Sequence, residues 1–225
     1  MKSLLALLLS AAALLGQTAN SITPREAADG WILLFDGQSL FGWTPEGQAK
    51  WKVAGGSIAP EGGGSGWLRS NTPFADFILK IDFRTAADGN SGVFLRSAEE
   101  GQPHQTGYEL QIFDQHPEFP TGSLVHYVAT KKGSIKPNQW QTFEVHARGS
   151  HFTVKLDGKT VLDVDDKSHS AGHIGLQYNQ GKAIEFRNIK LKPLSLNPVF
   201  NGRDLSGWRE VQPPKPAKEP AVWSV

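Results

Sequence analysis

The chain has 225 residues, of which 39% are hydrophobic and 20% are charged, and its formal net charge at pH 7 is +1. This composition fits one sizeable folded domain or two small ones and excludes a disordered chain. The near-zero net charge provides no basic field for nucleic acid. The absence of cysteine excludes disulfides, thiolate catalysis and cysteine–zinc sites.

The N-terminus has the features of an export signal. Lys2 precedes an apolar run, Leu4–Leu15, of about 12 residues, which suits a signal peptide and is shorter than the ~20 residues that cross a bilayer. We therefore predict that residues 1–19 are a signal peptide and that the protein is exported, either to the periplasm or as a secreted protein. The alternative is a membrane anchor, but no membrane span is expected once the signal is removed.

The predicted elements begin with a short helix over Thr23–Ala28, because Thr23 can cap it, Pro24 suits its first position and Glu26 completes a capping box. From Trp31 onward the sequence is a series of short β-type runs. Phe77–Arg84 alternates between apolar and polar side chains, which is typical of a half-buried strand. The other predicted strands, in chain order, are Trp31–Phe35, Trp51–Val53, Ser57–Ala59, Trp67–Ser70, Ser91–Ser97, Gly107–Phe113, Ser123–Thr130, Trp140–Arg148, His151–Leu156, Thr160–Val164, Ile174–Tyr178 and Ala183–Leu191.

The spacing of these runs, roughly 8–12 residues, predicts an all-β fold, a jelly-roll sandwich of two antiparallel sheets. An internal repeat is also visible, because Leu34–Trp43 is echoed by Val199–Trp208. We interpret residues 29–193 as one complete domain and residues 197–225 as the incomplete start of a second copy. The alternative is a C-terminal extension that adds edge strands to the first domain.

Five motifs carry a resemblance to a known family: Trp31–Gly37, Asn90–Arg96, Gly107–Asp114, Gly175–Gln177 and Glu185–Ile189. With these motifs in this order, the chain resembles the 3-keto-disaccharide hydrolase domain, over about residues 29–193. The resemblance implies a concanavalin A-like jelly roll, largely bacterial and exported, that cleaves glycosides whose sugar carries a ketone at carbon 3. One departure is Thr121–His126, which stands where the family often has Thr-Gly-Ala-Ile-Tyr-Gly.

The strand Gly107–Phe113 carries the proposed site. Alternation places Glu109, Gln111 and Phe113 on the same face of this strand. Polar groups beside an aromatic ring are what a sugar cleft requires. We predict that three residues are catalytic: Glu109, Arg96 and His126. Five further residues are predicted to bind the substrate: Gln111, Gln177, Phe113, Tyr127 and Asn90.

The chemistry that the resemblance implies needs a base, an electrophile and an acid. A ketone at carbon 3 acidifies the proton at carbon 2, so a base can remove it and expel the anomeric substituent, after which water adds. Glu109 would be the base, Arg96 or a bound divalent metal would stabilise the enolate, and His126 or Tyr127 would protonate the leaving group. A two-carboxylate glycosidase is less well supported, because Glu109 and Asp114 would point to opposite faces.

Two other functions stay open. The same face would suit a carbohydrate-binding, lectin-like module without catalysis, and the domain could also be a structural or protein-interaction module. The histidine spacings predict no metal site, although a structural Ca²⁺ could use Asp88 and Asn90, and a catalytic divalent cation is a second possible cofactor. The expected partner is a carbohydrate or glycoside, with no nucleic acid, and the sequence predicts no oligomeric state.

Overall fold

The computed structural model describes residues 19–131, 134–194, 196 and 203–206. The chain divides into two compact units, Met1–Leu194 and Ser195–Val225. The predicted signal peptide, apart from Ala19, and the predicted second copy, apart from residues 203–206, lie outside the described residues. Both therefore stay predictions. In the part of the chain that is described, no helix is long and apolar enough to cross a membrane.

Within the described residues, the first unit contains eleven strands and two short helices. The helices are α1 (Pro24–Ala28) and α2 (Pro103–Thr106). The strands are β1 (Ile32–Leu33), β2 (Trp43–Ala54), β3 (Ser57–Phe74), β4 (Phe77–Thr85), β5 (Ser91–Ser97), β6 (Tyr108–Ile112), β7 (Gln141–Arg148), β8 (His151–Leu156), β9 (Lys159–Asp165), β10 (Gly172–Tyr178) and β11 (Ile184–Pro193).

The strands follow one antiparallel hydrogen-bonded path, β6-β5-β10-β3-β11-β4-β7-β8-β9, with β1 added to β11 and β2 to β3. The long strand β3 pairs with β10 through its C-terminal part and with β11 at Ile58, so it belongs to both halves of the sheet. The sheet curls until its two ends face each other, and the rings of Tyr108 on β6 and Phe152 on β8 lie 4.8 Å apart. The predicted all-β, concanavalin-like jelly roll is confirmed.

The core lies between the two layers. On β4, the predicted alternation is confirmed, because Phe77, Leu79, Ile81 and Phe83 are at most 1% exposed and the residues between them are half-buried. Each such side chain contributes about 1.5–3 kcal/mol when it is removed from water. A core of this kind stabilises the domain without disulfides.

The predicted N-terminal helix is also confirmed, as α1. Oγ1 of Thr23 accepts from the backbone N–H of Glu26 at 3.1 Å, and Oε2 of Glu26 accepts from the N–H of Thr23 at 2.9 Å. Glu26 also forms an ion pair with Lys190 on β11. The capping box therefore fixes the start of the helix, and the ion pair attaches the helix to the sheet.

The run Gly62–Gly64 lies inside β3, where Gly63 pairs with Ala49 of β2. One local prediction is wrong. Ser123–Thr130, predicted as a strand, forms only isolated bridges, because the chain turns at His126, whose φ is +68°. The segment 121–128 nevertheless runs along β6 and covers its edge.

Candidate active site

The strand β6 separates two kinds of side chain. Tyr108, Leu110 and Ile112 are fully buried in the core between the layers. Glu109 and Gln111 point the other way and are also buried, at 8% and 4% exposure. They are shielded in part by the 121–128 segment, whose backbone bonds to the backbone of both residues. The predicted alternation therefore holds, and it places a carboxyl and an amide together on the outer face of the sheet.

Glu109 reaches across its neighbouring strand. Gly92 on β5 is opposite Gln111, and a Cβ atom there would lie only 2.9 Å from Oε1 of Glu109. Because that side chain is missing, the carboxyl extends to β10, where Nε2 of Gln177 donates a hydrogen bond of 2.9 Å to Oε1. The sequence analysis gave Gly92 no role, although a glycine inside a strand often marks a close approach of this kind.

The environment of Glu109 makes it a suitable base. Burial raises its pKa from 4.5 to about 7, and the hydrogen bond from Gln177 opposes that rise. Among the described residues, no cationic side chain forms an ion pair with Glu109. A carboxyl whose pKa lies near neutrality is ionised for part of the time and is also basic enough to accept a proton from carbon.

Gln177 belongs to a row of side-chain amides that are joined by hydrogen bonds. Its Oε1 accepts from Nδ2 of Asn179 at 3.0 Å, and the same nitrogen donates to Oδ1 of Asn90 at 2.8 Å. The structure therefore joins Glu109, Gln177 and the predicted residue Asn90 through Asn179. Sequence analysis missed Asn179, which no motif marked.

A cleft of about 630 Å³ opens beside this row. Gln177 and Asn179 line it, together with the rings of Trp67 and Phe94, which meet edge to face with centroids 5.4 Å apart. A Cβ atom on Gly175 would lie 2.3 Å from the Trp67 ring, so the indole lies across this glycine. The cleft thus combines apolar ring surface with amide groups, the usual composition of a sugar site.

Charged groups stand along the rim of the cleft. Nη2 of Arg69 forms ion pairs with Glu46 at 3.0 Å and with Glu99 at 2.8 Å, and both glutamates line the cleft. His104 also lines it, and its ring centroid lies 6.2 Å from that of His126. Burial and the neighbouring His126 lower the pKa of His104, so the neutral imidazole of His104 is favoured.

Arg96 does not belong to this site, and its predicted catalytic role is wrong. Its guanidinium is fully buried and donates to the carbonyl oxygens of Ala75 at 2.8 Å, Gly149 at 2.7 Å and His169 at 3.1 Å. The φ of Arg96 is +54°, which breaks the alternation of β5. The side chain therefore turns into the sandwich rather than toward Glu109.

Tyr127 is likewise directed inward. Its hydroxyl lies 2.9 Å from Nε2 of His169, and its ring packs against Tyr108 at 4.9 Å. The turn at His126 sends successive side chains in directions that a regular strand would not give. The role of Tyr127 in binding substrate or protonating the leaving group stays a prediction.

The remaining predicted residues lie near the edge of β6. His126 is exposed, and Phe113 is half-buried with its ring 6.2 Å from that of His116. Oε1 of Gln111 is buried without a hydrogen-bond partner in the described structure. The roles predicted for His126, Phe113 and Gln111 stay predictions.

The turn considered for calcium uses its oxygens elsewhere. The carboxylate of Asp88 pairs with Lys182 at 2.9 Å, and Oδ1 of Asn90 accepts from Asn179. Within the described ranges, no group of three or more His, Asp or Glu side chains could hold a metal ion. The calcium site at this turn stays a prediction.

A concanavalin-like jelly roll with a cleft of aromatic rings and amides, one of which bonds to a buried carboxyl, defines the class of carbohydrate-handling β-sandwich domains. Within this class, the chain belongs to the family described as the 3-keto-alpha-glucoside-1,2-lyase-like domain, whose model matches residues 30–192. The resemblance inferred from the motifs is thereby confirmed.

Individual relatives agree with this assignment. A 3-keto-disaccharide hydrolase from Bacteroides thetaiotaomicron is 28% identical over 231 residues, covering 74% of this chain and 79% of the relative. A crystal structure from Parabacteroides distasonis, provisionally assigned as a glycosyl hydrolase, is similar with a TM-score of 0.70 and 22% identity, over 79% of this chain and 100% of that one. The carbohydrate-binding module CBM66 from Bacillus subtilis is similar with a TM-score of 0.53 and 21% identity, over 67% of this chain and 95% of that one. These two structures support the fold.

Proposed function

We propose that the protein cleaves the glycosidic bond of 3-keto glycosides by elimination followed by hydration. The family and the Bacteroides relative support the class of substrate. The observation that carries the proposal is Glu109, a nearly buried carboxyl with its pKa raised to about 7, bonded to a residue that lines the cleft.

In the first step, Glu109 takes the proton from carbon 2 of the bound sugar. The electron pair of that C–H bond passes through the enolate of the 3-ketone and becomes the C1=C2 double bond as the C1–O bond breaks. The aglycone oxygen keeps the bonding pair and takes up a proton. Water then adds across the double bond and yields the free 3-keto sugar.

The cleft supplies the groups that hold the sugar. The nearly buried rings of Trp67 and Phe94 line the cleft, and the carboxylates of Glu46 and Glu99, held by Arg69, can accept hydrogen bonds from the hydroxyls of a sugar. Because the guanidinium of Arg96 is turned away from the cleft, a neutral donor has to hold the enolate oxygen. The amide N–H of Gln177 and the imidazole N–H of His104 are such donors, and both residues line the cleft.

The proton for the leaving group is assigned to the pair His104 and His126. His104 lines the cleft and His126, the acid predicted from the sequence, stands beside it. Either imidazole can deliver the proton to the aglycone oxygen.

The second candidate function is a carbohydrate-binding module without catalysis. The carboxylates and amides that line the cleft favour it, because such groups bind sugar hydroxyls whether or not a base is present. The buried carboxyl distinguishes the two functions, since a binding site gains nothing from a group that is costly to ionise.

The decisive experiment uses 4-nitrophenyl 3-keto-α-glucoside as substrate. We expect the wild-type protein to release 4-nitrophenol and Glu109→Gln to lose at least about 10³-fold in turnover, a size typical of losing a general base. Glu61→Gln, an exposed carboxyl on β3, is the matched control and should keep wild-type turnover. Calorimetry with the uncleaved parent glucoside should show similar affinity in all three proteins. Binding without turnover in the wild type would favour the binding module.

A further inference from the structure

We propose that Asn179 is a positioning residue that fixes the orientation of the Gln177 amide and, through it, the carboxylate of Glu109. The inference rests on the proposed function in that it takes Glu109 as the base. Asn179 lies one residue beyond β10, and its Nδ2 donates to Oε1 of Gln177 at 3.0 Å. Nε2 of Gln177 then donates to Oε1 of Glu109 at 2.9 Å.

The orientation of Gln177 acts on the charge state of Glu109, against the larger effect of burial. A glutamine amide carries a donor on one side and an acceptor on the other, and it can present either to a neighbour. A donated hydrogen bond favours the ionised carboxylate, whereas an amide oxygen at the same place would repel it. Glu109 can act as a base only in its ionised form, so Gln177 has to keep its nitrogen on this side.

The anchor of this row is a backbone carbonyl. Nδ2 of Asn179 is 2.8 Å from Oδ1 of Asn90 and 3.3 Å from the backbone oxygen of Asn90. A backbone oxygen can only accept, so Asn179 must turn its amino group toward it. The same amino group meets Gln177, which therefore turns its oxygen to Asn179 and its nitrogen to Glu109. One fixed acceptor in the turn before β5 thus sets the direction of every amide in the row.

No other polar side chain competes with Gln177 for Glu109. In the part of the chain that the structure describes, none of the titratable groups on the surrounding elements makes an ion pair or hydrogen bond to it. These groups are Arg96 on β5, His104 on α2, His126 and Tyr127 in the 121–128 segment, and His173 and Tyr178 on β10. Reorienting Gln177 should therefore change the protonation of Glu109 directly.

The test compares two variants with a matched control. Asn179→Asp removes the donor and keeps the shape, and Asn179→Leu removes it without adding charge. Gln180→Glu adds a charge one residue further on, at an exposed amide outside the row, and is the control. Glu109 is titrated by carbon-13 NMR of its carboxyl in each protein, and kcat/KM for 4-nitrophenyl 3-keto-α-glucoside is measured from pH 5 to 9.

In both Asn179 variants we expect the NMR midpoint of Glu109 to rise by about one pH unit, because the carboxylate loses its oriented donor. The acid limb of kcat/KM should move upward with it, so that kcat/KM falls about tenfold at pH 6 and stays within about twofold of wild type at pH 9. Gln180→Glu should leave both curves in place.

An unchanged NMR midpoint in both Asn179 variants would overturn the positioning role, whatever the activity. Full turnover by Glu109→Gln, or no turnover by the wild type, would instead overturn the proposed function. In that case a shifted midpoint would still show that Asn179 orients Gln177. A loss of kcat/KM that is equal at every pH would identify a merely structural effect and would also contradict the positioning role.

Discussion

The side chain of Glu109 occupies the space that a side chain at Gly92 would fill, because a Cβ atom on Gly92 would lie 2.9 Å from Oε1 of Glu109. The φ of Gly92 does not fall in the left-handed region, so the backbone itself does not require glycine. What requires it is the passage of a carboxyl from β6 over β5 to Gln177 on β10.

Gly92→Ala should therefore separate activity from stability. The added methyl group displaces the carboxyl from Gln177, and a misplacement of about 1 Å can cost on the order of 10²-fold in rate. We expect kcat/KM for 4-nitrophenyl 3-keto-α-glucoside to fall by about 10–100-fold, while the thermal midpoint changes by only a few degrees. Activity within twofold of wild type would show that the carboxyl does not need this path.

Glu109 should make stability depend on pH in an unusual direction. Its pKa is raised from 4.5 to about 7 in the folded protein. Between these values the folded state holds a proton that the unfolded state has lost, so stability falls as pH rises through this window. Glu109→Gln removes this cost, which is about 3 kcal/mol at pH 8 as an upper bound. Urea unfolding should show the variant to be more stable at pH 8 and similar to wild type at pH 4; the opposite order at pH 8 would contradict the raised pKa.

The histidine pair should matter only for poor leaving groups. A sugar alkoxide needs a proton to depart, whereas 4-nitrophenolate does not. We expect His104→Ala and His126→Ala to lower turnover of a 3-keto disaccharide by about 10²-fold and that of the nitrophenyl glycoside by less than about threefold. His146→Ala, on β7, serves as the control and should change neither rate. Equal losses on both substrates would assign the pair to binding instead.

Arg96 should be a stability residue. Arg96→Met removes the guanidinium that three carbonyl oxygens and Asp76 contact. We expect the free energy of unfolding, measured in urea, to fall by about 3–5 kcal/mol. The control is Arg84→Met, since Arg84 also pairs with a carboxylate, Glu185, but is half-exposed. That variant should lose less than about 1 kcal/mol. Similar losses in the two variants would contradict the assigned role of Arg96.

Sequence alternation predicted much of the fold and half of the site. Strict period-two patterns identified the core face of β4 and placed Glu109 and Gln111 on the outer face of β6, because successive side chains of a strand point to opposite faces. The family motifs also selected Gln177 and Asn90, which the structure joins to Glu109 through hydrogen bonds.

The errors in the predicted side-chain directions come from single residues that interrupt the alternation of a strand. A positive φ at Arg96 and another at His126 each interrupt the alternation of side-chain directions, and no residue type at those positions signals it. The roles of Gly92 and Asn179 depend on strands that are neighbours in space but distant in the sequence. Pairing order, which composition and spacing do not specify, was needed to find them.

The buried guanidinium of Arg96 also restricts how this scaffold can be re-engineered. Its three acceptors lie in three different connections: Ala75 between β3 and β4, Gly149 between β7 and β8, and His169 between β9 and β10. Lengthening or shortening any of these turns would withdraw one oxygen from a charge that has no access to water. Circular permutation, tag insertion and loop grafting should therefore fail at these three places, and homologous chains should keep their lengths constant there.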